Sequence, residues 1–267
     1  MSCLGKVFTQ ILNKRLTSYA EEHGLIGAEQ AGFRLTYSTI DHIFTLRSLL
    51  DIYLSKGQKI YACFIDYAKA FDSVWRAALW KKLLDQGING KVIRVMRNMY
   101  INAKSCIKGA EGMTNFFSCE AGVRQGENLS PFLFAIFLND LESFLRSSGF
   151  KGLQHLHLFS TTKFVTELGY ILKMFILLYA DDTILLADSP EELQVGLNKM
   201  NEYCEKWKLS MNKDKTKIMI FSLGKSKKAQ PVFKIGDDIL DIVDEYCYLG
   251  VIFKYNGSLS RAVEQNA

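Results

Sequence analysis

Two apolar runs surround a short acidic break in the second half of the chain. Residues 174–178 and 183–187 are almost entirely apolar, and Tyr179-Ala180-Asp181-Asp182 lies between them. Apolar runs on either side of a short polar break are typical of a buried β-hairpin. The pattern therefore predicts a hairpin that carries two adjacent carboxylates at its turn.

Similar patterns predict the other elements. A β-rich apolar run at 60–65 predicts a buried strand that ends at Asp66. Amphipathic spacing and helix-end signals predict helices at about 6–20, 41–54, 73–86, 91–101, 130–146 and 190–207. Strand-like runs lie at 104–108, 115–120 and 217–221, and the first two form a hairpin pair. Antiparallel strands covered by helices on one face predict an α+β fold.

Two helix starts have clear local signals, and one segment has none. Ser130 is predicted as an N-cap with Pro131 at the first helical position. Ser189-Pro190-Glu191-Glu192 has the form of a capping box. Residues 147–172 fit no regular pattern and are interpreted as a loop or short hairpin, in which His155 and His157 have no assigned role.

Composition indicates a globular protein. A chain of 267 residues can bury a real core, as one large domain or two subdomains. The longest apolar run, around 132–138, is too short to span a membrane, and residues 1–12 lack the layout of a signal peptide. The six cysteines show no paired metal-binding spacing.

The net charge of +5 is modest, but its distribution is uneven. Residues 81–108 contain seven Lys or Arg and one acid, Asp85, and residues 206–234 contain nine Lys and one acid, Asp214. Such stretches can follow a phosphate backbone. A solvated helix face or edge strand explains either stretch equally well when it is considered alone.

The carboxylates indicate metal chemistry. Asp181 and Asp182 repel each other, and partial burial increases that repulsion, so a cation is expected opposite them. Asp66, at the end of a buried strand, can supply a third carboxylate. Considered without the hairpin, Asp66 is interpreted as a turn residue at a strand end. Together they match a two-metal site for phosphoryl transfer, with Asp66 and Asp181 about 3–6 Å apart on adjacent strands.

Several motifs, in the correct order, resemble those of reverse transcriptases, specifically the enzymes of non-LTR (LINE-type) retrotransposons. The three catalytic motifs are Phe64-Ile65-Asp66-Tyr67-Ala68-Lys69-Ala70-Phe71-Asp72, Gly122-Val123-Arg124-Gln125-Gly126-Glu127-Asn128-Leu129-Ser130-Pro131 and Tyr179-Ala180-Asp181-Asp182. The flanking matches are Gln30-Ala31-Gly32-Phe33-Arg34 with Ser38-Thr39-Ile40-Asp41-His42, Asn212-Lys213-Asp214-Lys215-Thr216-Lys217, and a primer-grip-like Tyr248-Leu249-Gly250-Val251. The resemblance covers nearly the whole chain and implies a polymerase palm with partial fingers and almost no thumb.

The resemblance implies roles for individual residues. Asp66 and Asp181 would be the principal ligands of two Mg²⁺ ions, for which Mn²⁺ can substitute, and Asp182 would support them. Lys215 would protonate the pyrophosphate leaving group, unless it is one more exposed lysine.

Other residues would contact the substrates. Phe71 matches the residue that excludes a ribose 2′-OH, although a core Phe would occupy the same position. The backbone at Ala70 could approach the triphosphate, while Gln125 and Gly126 would touch the incoming nucleotide and the template. Nucleic-acid contacts are expected from Lys225, Lys227, Lys228, Tyr248, Leu249 and Gly250.

The implied partners are an RNA template, a DNA primer and deoxynucleoside triphosphates, for an intracellular, nuclear protein without a membrane anchor. The expected division is partial fingers at 1–59, palm at 60–222 with a fingers-like insertion at 80–120, and the palm end, primer-grip segment and start of a thumb at 223–267.

Asp72 is expected to cap the following helix. Glu127-Asn128 departs from the family pattern, but we give this departure little weight because the two residues are expected to lie in a loop.

The ends of the resemblance leave the activity open. The chain starts just after an expected fingers strand and stops where a helical thumb should begin, so truncation at both ends is expected. Three hypotheses follow: a reverse transcriptase, a non-catalytic remnant that binds nucleic acid, and a folded element fragment without selected activity.

Overall fold

The computed structural model describes residues 3–27, 29–34, 37–101, 103–109, 112–154, 175–224 and 230–261. Its helices are α1 (Cys3–Glu22), α2 (Thr39–Ser55), α3 (Ala70–Ser73), α4 (Arg76–Asp85), α5 (Gly90–Tyr100), α6 (Ser130–Leu138), α7 (Leu141–Ser147) and α8 (Pro190–Trp207). Its first strands are β1 (Ile60–Ile65), β2 (Lys104–Ser105), β3 (Lys108–Gly109), β4 (Gly112–Met113), β5 (Phe117–Ser118), β6 (Ile176–Tyr179) and β7 (Asp182–Ala187). The later strands are β8 (Lys217–Phe221), β9 (Lys234–Ile235), β10 (Asp238–Ile239), β11 (Asp241–Ile242), β12 (Glu245–Tyr248), β13 (Val251–Lys254) and β14 (Leu259–Arg261).

The central sheet has the strand order β11-β8-β1-β7-β6. Strand β1 lies in its middle and pairs antiparallel with both β7 and β8, while β11 joins β8 in parallel. Ile65 lies opposite Thr183, so the end of β1 comes directly beside the β6–β7 turn. The predicted hairpin is confirmed, and the mainly antiparallel sheet with its helices confirms the α+β class.

Both faces of this sheet are covered. Alternate residues of β1, such as Cys63 and Ile65, pack in a core with α1 and with helices α4 to α8. Ala62 and Phe64 pack on the opposite face with α2 and the β12–β13–β14 sheet. The expectation of helices on one face only was wrong. Burial on both sides explains why β1 is apolar without alternation.

The predicted helix start is confirmed, and the Ser189 side chain accepts a hydrogen bond from the Glu192 backbone N–H. The Glu192 side chain does not complete the predicted capping box but accepts from the backbone N–H groups of Lys151 at 2.5 Å and Gly152 at 3.1 Å. The single helix predicted at 130–146 was wrong, since it is broken into α6 and α7 at Asn139 and Asp140. Asn139 Nδ2 donates to the Leu25 carbonyl at 2.6 Å, and Asp140 accepts from Lys82 Nζ at 2.5 Å. These long-range bonds hold both residues outside a continuous helix.

The start of α6 also differs from its prediction. Ser130 is the first helical residue, and Leu129 occupies the N-cap position. The Ser130 hydroxyl donates to the Arg124 carbonyl at 2.5 Å instead of capping the helix. The hydroxyl therefore connects the helix start to the preceding loop.

Some expectations concern residues outside the described ranges. These are most of the segment predicted as a loop, with His155 and His157, and the lysines Lys225, Lys227 and Lys228. Within the described ranges, no helix is both long and apolar enough to cross a membrane.

Candidate active site

Three carboxylates come from one end of the central sheet. Asp66 follows the last residue of β1, Asp181 lies in the β6–β7 turn, and Asp182 is the first residue of β7. The backbone of Asp66 is fixed at both polar atoms: its N–H donates to Thr216 Oγ1 at 3.2 Å, and its carbonyl accepts from Asn212 N–H at 2.7 Å. The loop before β8 therefore sets the position of Asp66 beside the hairpin.

Negative charge is concentrated at this edge. Desolvation by the surrounding protein, followed by the charges of Asp181 and Asp66, raises the pKa of Asp182 to about 6. Burial raises the pKa of Tyr246 to about 12, and Asp182 and Asp66 add to that shift. Each effect requires Asp182 and Asp66 to lie in electrostatic range of the same groups. The sequence prediction that these residues come together is therefore supported electrostatically, while their interatomic distance stays a prediction.

The donor set is suited to a hard divalent cation. In the described parts of the chain, no group of three or more His, Cys, Asp or Glu side chains forms a cage that could hold a metal ion. Mg²⁺ does not need such a cage, because it binds through one or two carboxylates, substrate phosphates and retained waters. The residues thus fit a site that substrate completes, and a bound cation would offset both the burial of Asp182 and the nearby charges of Asp181 and Asp66, which together raise its pKa.

The segment after β1 contains the predicted nucleotide-contacting residues Ala70 and Phe71 in the short helix α3. Ala70 is buried, whereas Phe71 is half-buried and stacks on Phe134, with ring centroids 5.1 Å apart. Asp72 lies inside α3 and does not cap α4, whose N-cap is Trp75, so that expectation was wrong. Phe71 therefore combines a core contact with an accessible edge.

The second catalytic motif packs against α3. The Val123 N–H donates to the Phe71 carbonyl at 2.7 Å, and a Cβ at Gly122 would lie 2.6 Å from the Asp72 carbonyl oxygen. Exposed Gln125 is thereby brought to Asp72, whose Oδ2 lies 3.4 Å from Gln125 Nε2. The contact connects the second motif to the first.

Gly126 is exposed, has φ of +76°, and has open space where a Cβ would be. The positive φ alone therefore favours glycine at this position, and the absence of a Cβ would also allow a ligand to approach the backbone closely. Gln125 lines an open cleft of about 820 Å³ with Asp72, Arg76, Lys104 and Phe117. The two predicted motifs therefore border one cleft.

Glu127 has a larger structural role than its loop position suggested. Its side chain is buried, and Tyr100 OH donates to its Oε2 at 3.1 Å. The guanidinium groups of Arg76 and Arg124 lie 4.9 and 5.3 Å from the centroid of the Tyr100 ring. Burial raises the pKa of Glu127. Giving little weight to the departure of Glu127-Asn128 from the family pattern was wrong. That departure was the signal in the sequence for the structural role of Glu127.

The basic stretches divide into paired and exposed members. Lys82 is buried against Asp140, while Lys213 and Lys217 pair with Asp238 and Asp241. The exposed cations include three on α5 and two on the β2–β5 segment: Lys91, Arg94, Arg97, Lys104 and Lys108. Lys215 is exposed in the turn before β8, close in sequence to the loop that holds Asp66. The paired lysines thus have acidic partners within the protein, and the buried Lys82 belongs neither to a solvated helix face nor to a surface for a phosphate backbone.

The primer-grip-like segment forms a tight hairpin. Tyr248 pairs with Val251, and the two residues between them, Leu249 and Gly250, have φ of +48° and +80°. Two positive φ values are typical of a type I′ hairpin turn. The Tyr248 ring is buried, and its hydroxyl lies 3.3 Å from Nδ1 of the buried His42.

Sequence reasoning assigned no structural role to the segment around Gln30. The segment before α2 runs along the outer edge of β6: the Ala31 N–H donates to the Leu178 carbonyl at 2.9 Å, and the Leu178 N–H donates to the Glu29 carbonyl at 2.8 Å. The family-like Gln30-Ala31-Gly32 motif was the signal that could have found it.

A protein-family model described as reverse transcriptase (RNA-dependent DNA polymerase) matches residues 1–253. The chain belongs to the reverse transcriptase family. Among its relatives are the RNA-directed DNA polymerase from mobile element jockey of Drosophila funebris, 27% identical over 93% of the chain, and the retrovirus-related Pol polyprotein from type-1 retrotransposable element R2 of Nasonia vitripennis, 26% identical over 94%. The chain spans only 25% and 23% of the length of those two proteins, and both come from non-LTR retrotransposons.

Solved structures confirm the polymerase fold of this reverse transcriptase chain. Apo telomerase from Candida tropicalis superposes with a TM-score of 0.60 at 15% identity, over 97% of this chain and 41% of the telomerase chain. The telomerase truncated from its C-terminal domain gives a TM-score of 0.59 at 17% identity, over 94% of this chain and 44% of that one. The fold is thus that of a palm-containing polymerase.

Proposed function

We propose that this chain forms the palm and partial fingers of an RNA-directed DNA polymerase, the part that transfers deoxynucleotides to a primer end. The observation that carries the proposal is the meeting of Asp66, Asp181 and Asp182 at one sheet edge, where Asp66 and Asp181 contribute to the raised pKa of Asp182. The reverse transcriptase family in general depends on divalent metal ions.

The proposed ligands are Asp66 and Asp181, with Asp182 in support, for two Mg²⁺ ions that Mn²⁺ can replace. Such ions, when bound, stabilise the charge that develops on the attacking and leaving oxygens. The primer 3′-hydroxyl loses its proton to water, its oxygen forms a bond to the α-phosphorus of a deoxynucleoside triphosphate, and the bond from that phosphorus to pyrophosphate breaks. The carboxylates orient the reactants, and Lys215 gives a proton to the leaving oxygen.

Substrate selection is assigned to the start of α3, which follows Asp66 in the chain, and to the second motif, which packs against α3. Phe71 would exclude a ribose 2′-OH, while Ala70 would contact the triphosphate through its backbone. Gln125 and Gly126 would contact the base pair between the incoming nucleotide and an RNA template. Because Tyr248 is buried, the Leu249-Gly250 turn would meet the DNA primer through its backbone. The protein would act in the nucleus, where a primed DNA target is available.

Primer extension tests the proposal. The chain, with a DNA primer on an RNA template, one matched deoxynucleotide and Mg²⁺, should extend the primer by one residue. Asp181→Asn should abolish extension, while Asp85→Asn, at an exposed i,i+4 ion pair with Lys81, should leave it unchanged. Absence of extension by the unaltered chain would contradict polymerase activity, and equal rates for the two variants would contradict the catalytic role of Asp181.

The second candidate is a remnant that binds nucleic acid without catalysis. It is favoured by the exposed cations of α5, Lys91, Arg94 and Arg97. Binding of the primer–template without extension would select this function.

A further inference from the structure

The turn that carries Asp181 is strained. It connects β6 to β7 through Ala180 and Asp181, and Ala180 has φ of +59°. A residue with a Cβ is disfavoured in this left-handed region, and Gly normally occupies it. Because Asp181 follows Ala180 directly, the conformation of Ala180 sets the direction in which the carboxylate leaves the turn.

Gln30 bonds directly to this strained residue. Its side chain is 1% exposed, and its Oε1 accepts one hydrogen bond from the Ala180 N–H at 3.1 Å and another from the Gly32 N–H at 2.9 Å. Gln30 lies 150 residues before Ala180 in the chain. A buried acceptor shared by two backbone donors fixes the orientation of both peptide groups.

Gly32 lies against the same turn with no space for a side chain. A Cβ at this position would lie 2.2 Å from the Ala180 nitrogen and 2.9 Å from the Tyr179 carbonyl carbon. Both are backbone atoms, so a substitution could be accommodated only by moving the turn or the Gln30–Gly32 segment.

The segment itself is fixed from outside. Arg34 Nη1 donates to the carbonyl of Gly27 at 3.0 Å and to that of Gln30 at 3.3 Å. The same guanidinium pairs with Glu21 of α1 at 2.8 Å. The contact with the turn is thus anchored in the helical layer and does not depend on the hairpin alone.

We propose that Gln30 and Gly32 are positioning residues that hold Ala180 in its left-handed conformation and so direct the Asp181 and Asp182 carboxylates toward a divalent metal. The inference rests on the proposed function for the role of those carboxylates. The clamp itself rests on the hydrogen bonds and the close packing described above.

Gln30→Met tests the clamp at the level of structure. Met is unbranched and of similar length, so it can occupy the buried site. Within the described residues Nε2 of Gln30 has no hydrogen-bond partner, so the substitution removes only the bonds to Oε1. Hydrogen exchange followed by NMR should show protection of the Ala180 amide reduced by about tenfold or more, the equivalent of one net hydrogen bond. Unchanged protection would overturn the proposal.

Metal binding and rescue test the functional half. Mn²⁺ titration of the whole chain, followed by electron paramagnetic resonance, should show affinity reduced by about tenfold in Gln30→Met. Adding Ala180→Gly should restore most of that affinity, because Gly adopts the left-handed conformation without Cβ strain. Loss of affinity that Ala180→Gly does not restore would overturn the claim that Gln30 acts through Ala180.

Gly32→Ala is an independent perturbation with a matched control. It should reduce Mn²⁺ affinity at least as much as Gln30→Met, whereas Gly90→Ala, at a helix start with nothing within 4 Å of the added Cβ, should leave affinity unchanged. Equal effects of the two Ala variants would overturn the role of Gly32. Loss of Ala180 protection in Gln30→Met, in a chain whose unaltered form neither binds Mn²⁺ nor extends a primer, would support the clamp and overturn the proposed function.

Discussion

The position of Phe71 is compatible with two roles, a core residue and a residue that excludes a ribose 2′-OH, and a substitution distinguishes them. One face stacks on Phe134, while the half-buried ring lies in α3 next to the segment that carries Asp66. Because a ring that excludes a 2′-OH acts sterically, Phe71→Ala should raise incorporation of ribonucleotides relative to deoxynucleotides. Single-nucleotide extension with matched dNTP and rNTP measures the ratio.

The control for Phe71 is Phe134→Leu. It removes the stacking partner from the core and keeps the Phe71 side chain, so it should lower the melting temperature without changing the sugar ratio. An unchanged ratio in Phe71→Ala would mean that Phe71 is a core residue only. Loss of a buried aromatic ring costs about 3–5 kcal/mol, and the half-buried Phe71 should cost less.

At the residue scale, sequence reasoning found residues whose signal is local. Asp66 and the Asp181-Asp182 pair follow directly from the ends of apolar runs. Gln30 and Glu127 were given no such role, because their environments come from distant residues: Ala180 for Gln30, and Tyr100 with two arginines for Glu127. No pattern within a short window of sequence encodes a contact of that kind.

At the element scale, α2 is tied to the two hairpins at the carboxylate edge. His42 of α2 is buried, lies 3.3 Å from the Tyr248 hydroxyl of β12, and meets the Tyr179 ring edge-on, with centroids 6.1 Å apart. Burial lowers the pKa of His42 to about 4, only partly opposed by the charge of Asp41. His42 is therefore neutral in the folded protein at physiological pH.

This low pKa predicts a loss of stability in acid. An unfolded His binds its proton near pH 6.5, so between pH 6.5 and 4 the unfolded chain binds more protons than the folded chain. Stability from neutral His42 is therefore fully present above about pH 6.5 and falls as the pH decreases toward 4. The whole shift is equivalent to about 3 kcal/mol at most.

Denaturant unfolding at pH 7.5, 6 and 4.5 measures the effect. The difference in unfolding free energy between the unaltered chain and His42→Gln should shrink or reverse at pH 4.5, because Gln does not titrate. His23→Gln, at an exposed position of the chain, is the control and should show no such trend. A difference that stays constant with pH would contradict the assignment.

Elements with strong local patterns were predicted close to their observed bounds. The β6–β7 hairpin and helix α8 each have both apolar periodicity and end signals. The division between α6 and α7 was missed, because it depends on bonds from Asn139 and Asp140 to Leu25 and Lys82. Cover on both faces of the sheet was also missed, although the unbroken apolar run of β1 was consistent with it.

At the scale of the whole molecule, the exposed cations predict weak, salt-dependent binding of a primer–template duplex. Backbone contacts through Lys and Arg release counterions, so log affinity should fall linearly with log salt, from a Kd of about 10⁻⁴–10⁻⁶ M. Fluorescence anisotropy across a salt series measures both quantities. No binding at low salt would favour the inert-fragment hypothesis.

Two sets of lysines give this experiment a matched comparison. Replacing Lys225, Lys227 and Lys228 by Ala should lower the salt slope if they contact phosphates. Replacing Lys213 and Lys217 should change it less, because acids already pair with them. A larger change from the paired lysines would contradict this assignment.

Asp181→Asn separates binding from catalysis in the same molecule. It removes a negative charge from the surface that faces the nucleic acid, so affinity without metal should be unchanged or slightly higher, while extension is lost. Weaker binding by Asp181→Asn would show that the carboxylate edge does not face the duplex.

The central position of β1 also determines when this protein can fold during its synthesis. Both neighbours of β1 lie far downstream, since Phe64 pairs with Ile184 and Ile60 with Phe221. At roughly 5–20 residues per second, a ribosome needs on the order of ten seconds to synthesise the chain from β1 to these later strands. During that interval an apolar strand has neither partner, so these non-local pairings favour slow folding and dependence on chaperones.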